Sequence, residues 1–383
     1  MPPACSWKMA CLAAAVLISC AAQAPKTAPP PTVKYGIRVQ AGPMDAILLK
    51  DYAPASSLVV KETHLPKARF PVIDVHSHSS MSNIKTAEDV AAWVRTMDAV
   101  GVEKSVVFTG ATGAAFDRQA DLFLKKYPDR FQVWCSMDTA NLDAPDYPER
   151  AVRELVRCYQ RGARGVGELT DKGWGLQAAE ERALPRNQRL RIDDPRLDRF
   201  WQKCAELKLP VNIHIADHPS CWKPLGPNQE RTPDFQHFNL YGKDVSSYAE
   251  LLAMRDRLLA RHPNTVFIFC HLSNQGHDTP AVAKALDRFP NLYLDISARD
   301  YELGRQPRTA RQFLTRYQNR ILFGTDMGRE KQMYEGWWRL LESADEYMPG
   351  RIWWRYYGLE LPAPLLQALY RDNALRLLNW SQP

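Results

Sequence analysis

Eight short apolar runs spread along residues 71–326 constrain this chain most. They read PVIDVH (71–76), KSVVFTG (104–110), FQVWCSM (131–137), ARGVGEL (163–169), PVNIHI (210–215), TVFIFCH (265–271), NLYLDIS (291–297) and RILFGTD (320–326). Stretches with helical spacing lie between them. In residues 87–101, Val90, Trp93, Val94 and Met97 share one helical face, and Gly101 supplies the stop. Residues 148–162, 195–208 and 247–263 repeat the pattern. Strands alternating with helices build a parallel sheet, and near-continuous apolar strands build one covered on both faces. Eight such units predict an α/β fold, a closed (β/α)8 TIM barrel over residues 70–383, with long loops over its C-terminal face. An open doubly wound sheet is the alternative. It needs a glycine-rich phosphate-binding turn after its first strand, and HSHSSMSN stands there instead.

The chain ahead of the barrel has a different character. Lys8 precedes an apolar run, MACLAAAVLIS, that is too short to span a bilayer but long enough for the core of a signal peptide. The run ends in Leu17-Ile18-Ser19-Cys20, which is similar to a bacterial lipobox. Residues 1–20 are therefore read as a lipoprotein-type signal. The mature protein would be exported and held to the membrane through a lipid on Cys20, facing the periplasm. Cleavage after Ala24, giving a soluble secreted form, is the alternative; Pro25 disfavours it. Residues 21–69 read as a tether and N-terminal extension, with an Ala- and Pro-rich start that builds no core. Its later part, 33–70, is expected to pack outside the barrel or to cover one end. Beyond Cys20 five cysteines remain: Cys135, Cys158, Cys204, Cys221 and Cys270. An odd number without a CxxC pair predicts small buried hydrophobes, not a disulfide framework. The formal net charge of +7 is spread among interleaved acids, which excludes a nucleic-acid face.

Chemistry in such a barrel sits at the C-terminal ends of the strands. The first strand ends in His76 and His78, residues i and i+2 that project to one side. The fourth carries Glu168, the fifth His214, the sixth ends in His271 and the eighth in Asp326. Any one of them alone is a satisfied polar side chain. Four histidines and a late aspartate together suit a divalent cation, most simply Zn2+, bound by imidazole and carboxylate with one position open.

The motifs DVHSH, GVGEL, NIHI, FCHLSN and LFGTDM, with the closing NALRLLNW, resemble the amidohydrolase superfamily, and in particular its amidohydrolase-related (amidohydrolase 2) branch. That branch contains metal-dependent hydrolases and decarboxylases of aminocarboxymuconate semialdehyde or resorcylate-like acids. The resemblance spans about residues 70 to 380. It implies His76, His78, His214 and Asp326 as metal ligands, Asp326 as proton carrier and His271 as the second catalytic histidine. Many superfamily members bridge two metals with a carbamylated lysine on strand four. This chain has Glu168 there, and its nearest lysine is Lys172. A glutamate bridges two ions in some binuclear relatives; one ion is favoured here and two are possible.

Two reactions fit one constellation. The first is hydrolysis of a small ester, lactone or amide, with a metal-bound water as nucleophile, Asp326 moving its proton and His271 stabilising the oxyanion. The second is non-oxidative decarboxylation of a small aromatic or unsaturated acid, with Asp326 or His271 protonating the carbon. A non-catalytic ligand-binding lipoprotein is a third reading. Long loops at 170–195 and 216–244 are expected over the mouth, with Trp222 and Tyr241 as pocket wall. Arg299 and Arg329 are expected to hold a substrate carboxylate, or else to be surface arginines. His218 and His277 read as loop and helix-start residues, and His262 as a surface one. The Trp- and Tyr-rich segment 333–360 is expected to be largely the packing of the eighth helix, its exposed fraction serving a possible homodimer.

Overall fold

The computed structural model describes residues 32–34, 37–39 and 42–380, except 81–82, 181–182, 327–328 and 351–353. The signal segment and Cys20 lie outside the described residues. Met1–Val59 and Val60–Pro383 are separate compact units. The first holds a short antiparallel hairpin, Thr32–Lys34 with Ile37–Val39.

The second unit is the expected barrel. Its strands are β1 (Val72–His78), β2 (Val102–Phe108), β3 (Phe131–Cys135), β4 (Ala163–Asp171), β5 (Val211–Ile215), β6 (Phe267–Phe269), β7 (Leu292–Asp295) and β8 (Ile321–Leu322). They pair in parallel in chain order. The ring closes where Val75 N–H donates to the Phe323 carbonyl (3.0 Å) and Asp326 N–H to that of His76 (2.9 Å). The outer layer is α1 (Ala87–Val100), α2 (Gly113–Leu124), α3 (Tyr147–Gln160), α4 (Asp198–Glu206), α5 (Tyr248–Arg261), α6 (Thr279–Arg288), α7 (Pro307–Arg316) and α8 (Lys331–Glu342). Local chemistry sets their ends. Thr86 and Asp89 cap α1 reciprocally, and Gly101 ends it at φ 92°, a conformation that costs glycine no steric penalty. Ser247 and Glu250 form the same box on α5.

Two cores result. One lies between strands and helices. The other lies inside the barrel, where Ile73, Val75, Val106, Phe108, Trp134, Ile268 and Leu322 meet Ala374 and Leu378 from the C-terminal helix. That helix plugs one end of the barrel, and Gln132 donates to the Leu378 carbonyl (3.0 Å) to hold it. The barrel mouth at the other end remains for chemistry.

Register breaks matter more than the regular pairing. Between Asp74 and Ser77, β1 spends one residue more than β2, which pairs Ser105 and Val107 with them. The extra residue is a β-bulge, and it switches which side chains face inward. Ile73 and Val75 fill the barrel interior below it; His76 and His78 face inward above it. A second bulge between Val166 and Leu169 of β4, against Val211 and Ile213 of β5, brackets Glu168.

One expectation changes, that for His262, and two others take definite form. Residues 60–69, read as extension, belong to the barrel unit: Thr63 bonds Asp345, and Ala68 N–H donates to the Val100 carbonyl. His262 is buried, not on the surface, because its ring bonds Asp198 on α4 (3.0 Å). The aromatic residues of α8 are core: Tyr334, Trp337 and Trp338 are buried, with Trp338 against Phe323 and Tyr370. The five cysteines beyond Cys20 are buried and free, as expected. Trp338→Ala is expected to cost about 3–5 kcal/mol of stability, read as a lower urea midpoint at unchanged slope. A loss below about 1 kcal/mol would contradict this packing.

Candidate metal centre

Six side chains from five places on the barrel converge at its mouth. His76 Nε2 and His78 Nε2 are 3.2 Å apart, and Asp326 Oδ1 lies 3.4 and 3.2 Å from them. Beside them, Glu168 Oε1 is 2.9 Å from His214 Nδ1 and 3.3 Å from His271 Nε2, and these two nitrogens are 3.1 Å apart. Glu168 joins the two groups, with Oε2 3.4 Å from His78 Nε2. Every residue expected as a ligand is therefore brought together. Cys270 adds its thiol 3.2 Å from Glu168 Oε1.

The outward nitrogens decide what the inward ones can do. His76 Nδ1 bonds Asp295 Oδ2 (3.0 Å). Asp295 is held ionised, near pKa 2: burial opposes its charge, but His76 and the hydrogen bonds around it prevail. A carboxylate only accepts, so Nδ1 carries the proton and Nε2 is a bare lone pair. His271 Nδ1 faces the Ser297 carbonyl (2.9 Å), which also only accepts, so its Nε2 is bare too. His214 is turned the other way round. Its Nε2 bonds Asp217 Oδ1 (3.1 Å), itself 3.2 Å from Lys172 Nζ, which leaves Nδ1 bare. Sequence reasoning missed these three supports. Asp295 and Ser297 end the seventh strand run, where the strand-end rule would have found them; Asp217 follows His214 by one turn of chain.

Bare nitrogens 3.1 Å apart, and bare nitrogens against carboxylate oxygens, repel unless a positive charge sits among them. Protons are one answer. Burial works against a charged His76, yet Asp295 and Asp326 push its pKa well up, and carboxylates do the same for His78 and His214. In return Glu168 and Asp326, despite burial, are held well below the usual carboxylate range by the histidines. His271 goes the other way, lowered by burial and by His214. A divalent cation is the other answer, and the nitrogen–oxygen donor set with its hydrogen-bonded outer partners fits one.

Backbone strain marks the same place. His271, Leu272, Ser273 and Asn274 all have φ between 51° and 58°, and Asp326 has φ 52°. Such conformations cost side-chain-bearing residues energy and persist where the surroundings enforce them. Gly324 is also demanded: a Cβ there would lie 2.8 Å from His76 Cβ.

Other candidates are placed as follows. Arg299 is buried at the mouth, and the charge of Asp326 acts on it. Arg329 instead donates to the Asp89 carbonyl of α1 (2.8 Å). Trp222 is committed to packing: Nε1 donates to the Ser246 carbonyl, and its ring joins a small core of Cys221, Phe235, Leu240 and Val245. Tyr241 is 58% exposed. The loop 216–244 is thus a packed structure with its own core, not a bare lid.

The shifts give a pH test. The raised histidines stabilise the metal-free fold below their unfolded pKa of about 6.5, and that stability is lost as pH rises through the folded values. The depressed carboxylates stabilise it above about pH 4, and that is lost as pH falls. Metal-stripped protein is therefore expected to be most stable between about pH 4 and 6.5. Metal-loaded protein should keep gaining stability above that window, because protons and metal compete for the same nitrogens. Thermal melts of both forms across pH read this directly; parallel curves would remove the cation from the argument.

Comparisons with known proteins bear on the fold and the family. No curated protein matches the sequence. Among solved structures, an uncharacterised TIM-barrel protein from Bordetella bronchiseptica superposes with a TM-score of 0.52 at 17% identity, covering 82% of this chain and 99% of that one. The 2,6-dihydroxybenzoate decarboxylase from Rhizobium superposes at 0.50 and 18% identity, covering 82% and 100%. A dihydroxybenzoic acid decarboxylase from Polaromonas sp. JS666, with bound manganese and the inhibitor 2-nitroresorcinol, also gives 0.50 at 18% identity, covering 82% and 98%. These likenesses establish the shared barrel fold. Residues 73–380 match the family model described as Amidohydrolase, and the chain belongs to that family, in its amidohydrolase-2 branch.

Proposed function

We propose that this chain is a metal-dependent hydrolase of a small organic substrate of the ester, lactone or amide type. His76, His78, His214, Glu168 and Asp326 hold the ion, which we take to be a single Zn2+. What the ion supplies when bound is Lewis acidity, polarising a substrate oxygen and acidifying water toward a pKa of about 7.

The observation that carries the proposal is the reach of Asp326. Its Oδ1 lies on the His76–His78 pair, and its Oδ2 is 3.7 Å from His271 Nε2. With Oδ1 on the cation side, Oδ2 is left to take a proton from the attacking water and return it to the leaving group. His271 enters with a bare Nε2. The neutral ring is a lone-pair donor and cannot donate to an oxyanion, so the stabilising role expected of it begins only once that nitrogen has gained a proton.

Decarboxylation is the second reading. Two buried arginines near the mouth, Arg231 and Arg299, favour an acidic substrate, and two of the solved structures with this fold are dihydroxybenzoate decarboxylases. One screen separates the readings: zinc-loaded protein is offered small esters, lactones, amides and hydroxybenzoates, with acid release and CO2 recorded together. Acid without CO2 is expected, and Asp326→Asn should lower the rate about 10²–10⁴-fold. CO2 from a hydroxybenzoate would replace hydrolysis with decarboxylation. Elemental analysis checks the ion, with one zinc per chain expected.

The proposal also places the enzyme outside the cytoplasm, tethered through Cys20; the support is the apolar run ahead of that residue. Radiolabelled palmitate should enter the wild-type chain expressed in a bacterium and not Cys20→Ala. Labelling of neither would remove the lipid anchor on Cys20.

A further inference from the structure

The turn that begins at His271 has a conformation the chain ordinarily avoids. His271, Leu272, Ser273 and Asn274 have φ of 58°, 53°, 55° and 51°. Asparagine tolerates that region as a single residue; the other three do not, and a run of four is left-handed helix. The turn's own bonds are Asn274 N–H to the His271 carbonyl (2.9 Å) and Gln275 N–H to that of Leu272 (3.0 Å). A right-handed turn would close the same two bonds at less cost. They do not select the hand, so the selection comes from outside the turn.

Part of it is at the start, where the His271 N–H donates to Asp295 Oδ1 (3.1 Å). The far end is held by α5. Tyr248 and Arg255 stand two helical turns apart on one face of that helix. Tyr248 Oη donates to the Asn274 carbonyl (3.0 Å). Arg255 Nη1 gives both its protons to the turn, one to Ser273 Oγ (2.8 Å) and one to Gln275 Oε1 (2.5 Å). Its Nε and Nη2 donate to Asp256 Oδ1 (3.0 and 2.8 Å), which balances the charge and fixes the plane of the fork. Arginine is almost never fully buried unless paired, and Arg255 is 3% exposed. Between the two acceptors Asn274 reaches the other way: Nδ2 donates to the carbonyls of Ile215 (3.1 Å) and Ala216 (3.0 Å), at the end of the strand that carries His214.

We propose that Arg255 is a positioning residue for the reaction: by bridging Ser273 and Gln275 it holds the left-handed turn that sets His271 Nε2 3.1 Å from His214 Nδ1. Asn274 ties the same turn to the end of β5, so the clamp fixes the two histidines against each other. Without the fork the turn relaxes toward the right-handed region and swings His271. Its Nδ1 then leaves the Ser297 carbonyl (2.9 Å), and the proton is no longer confined to that nitrogen. A lysine keeps the charge but is a single point donor, which does not span both acceptors as the fork does. This rests on the reading of that cluster as the catalytic centre.

The test is NMR of the full chain labelled at the histidine ring nitrogens, with and without zinc. His271 is assigned as the signal that His271→Gln removes. In wild type its proton should sit on Nδ1 alone. Arg255→Met, which keeps an apolar stem and loses the fork, should spread the proton over both nitrogens, and Arg255→Lys should partly restore the wild-type pattern. His262 is the control, because it caps the C-terminal end of the same helix and bonds Asp198 (3.0 Å). General loosening of α5 would move the His262 signals; loss of the clamp leaves them in place. On a substrate that zinc-loaded wild type turns over, Arg255→Met should lower kcat about 10–100-fold and leave KM unchanged. Wild-type His271 signals in folded Arg255→Met overturn the proposal, and so do His271 and His262 signals that move together. If Arg255→Met does not fold, Gln275→Met removes one acceptor and is judged by the same two signals. Histidine signals that zinc leaves unmoved would remove the catalytic-centre reading and not the clamp, which the zinc-free spectra decide.

Discussion

The mouth of this barrel is organised around a repulsion. His214 Nδ1 and His271 Nε2 face each other at 3.1 Å, and each has its proton committed elsewhere, to Asp217 and to the Ser297 carbonyl. His76 Nε2 is bare for the same reason, through Asp295. The outer hydrogen bonds are what make the inner arrangement repulsive unless protons or a metal cation bring positive charge into it. Asp295 shows how tightly this is built: one oxygen takes His76 and Asn212, the other takes the His271 N–H and the Ser297 N–H. Two histidines of the cluster and the turn that follows the second hang on a single buried carboxylate. Removing it would free His76 to change tautomer and would loosen the strained run at 271–274 together.

The backbone has to bend to deliver those nitrogens. A regular β1 would turn His76 toward the helices, in phase with Val72 and Asp74, and the same parity sends Asp74 to Thr325 and Tyr334. Asp74 is buried among them with a pKa raised to about 6 by burial, partly offset by those hydrogen bonds. One extra residue after Asp74 moves His76 and His78 to the inside while the apolar pair Ile73 and Val75 stays there. The barrel thereby keeps a dry interior at one level and a polar cluster just above it. Gly324 is the cost of this crowding, since His76 occupies the space a side chain would need.

This explains what could be read from residues alone. The strand–helix alternation was legible because each strand is buried on both faces and each helix carries one apolar stripe. The clustering at the mouth was legible because four histidines and two acids fall at the ends of apolar strand runs. The bulges were not, because no residue type announces one in VIDVHSH or GVGEL, and the register comes from the neighbouring strand. Arg231 was passed over because it lies inside the loop 216–244, far from any strand end; the short helix Thr232–Phe235 and its small core bring it back to the mouth. His262 looked like a surface residue ahead of Pro263 because its partner, Asp198, is on a helix remote in sequence.

The two sides of the mouth differ in chemistry, and the difference bears on how a substrate would lie. Beyond β2, β3 and β4 the walls are small and neutral: Thr112, Ser136, Thr139, Thr170 and Gln177 line an open cavity with Gly110. Gln177 is fixed there, donating to Ser136 Oγ and accepting from the Thr170 N–H. Beyond β5, β6 and β7 the walls carry guanidinium groups and aromatic rings. A field from one side only orients a polar molecule, because its negative end gains most by facing the cations while its neutral, hydroxylated or carbonyl end accepts the hydroxyls opposite. The metal centre lies between. Orientation by the walls and activation at the centre would thus be separate tasks carried by separate residues, and that separation is what lets one barrel and one cluster of histidines serve more than one reaction.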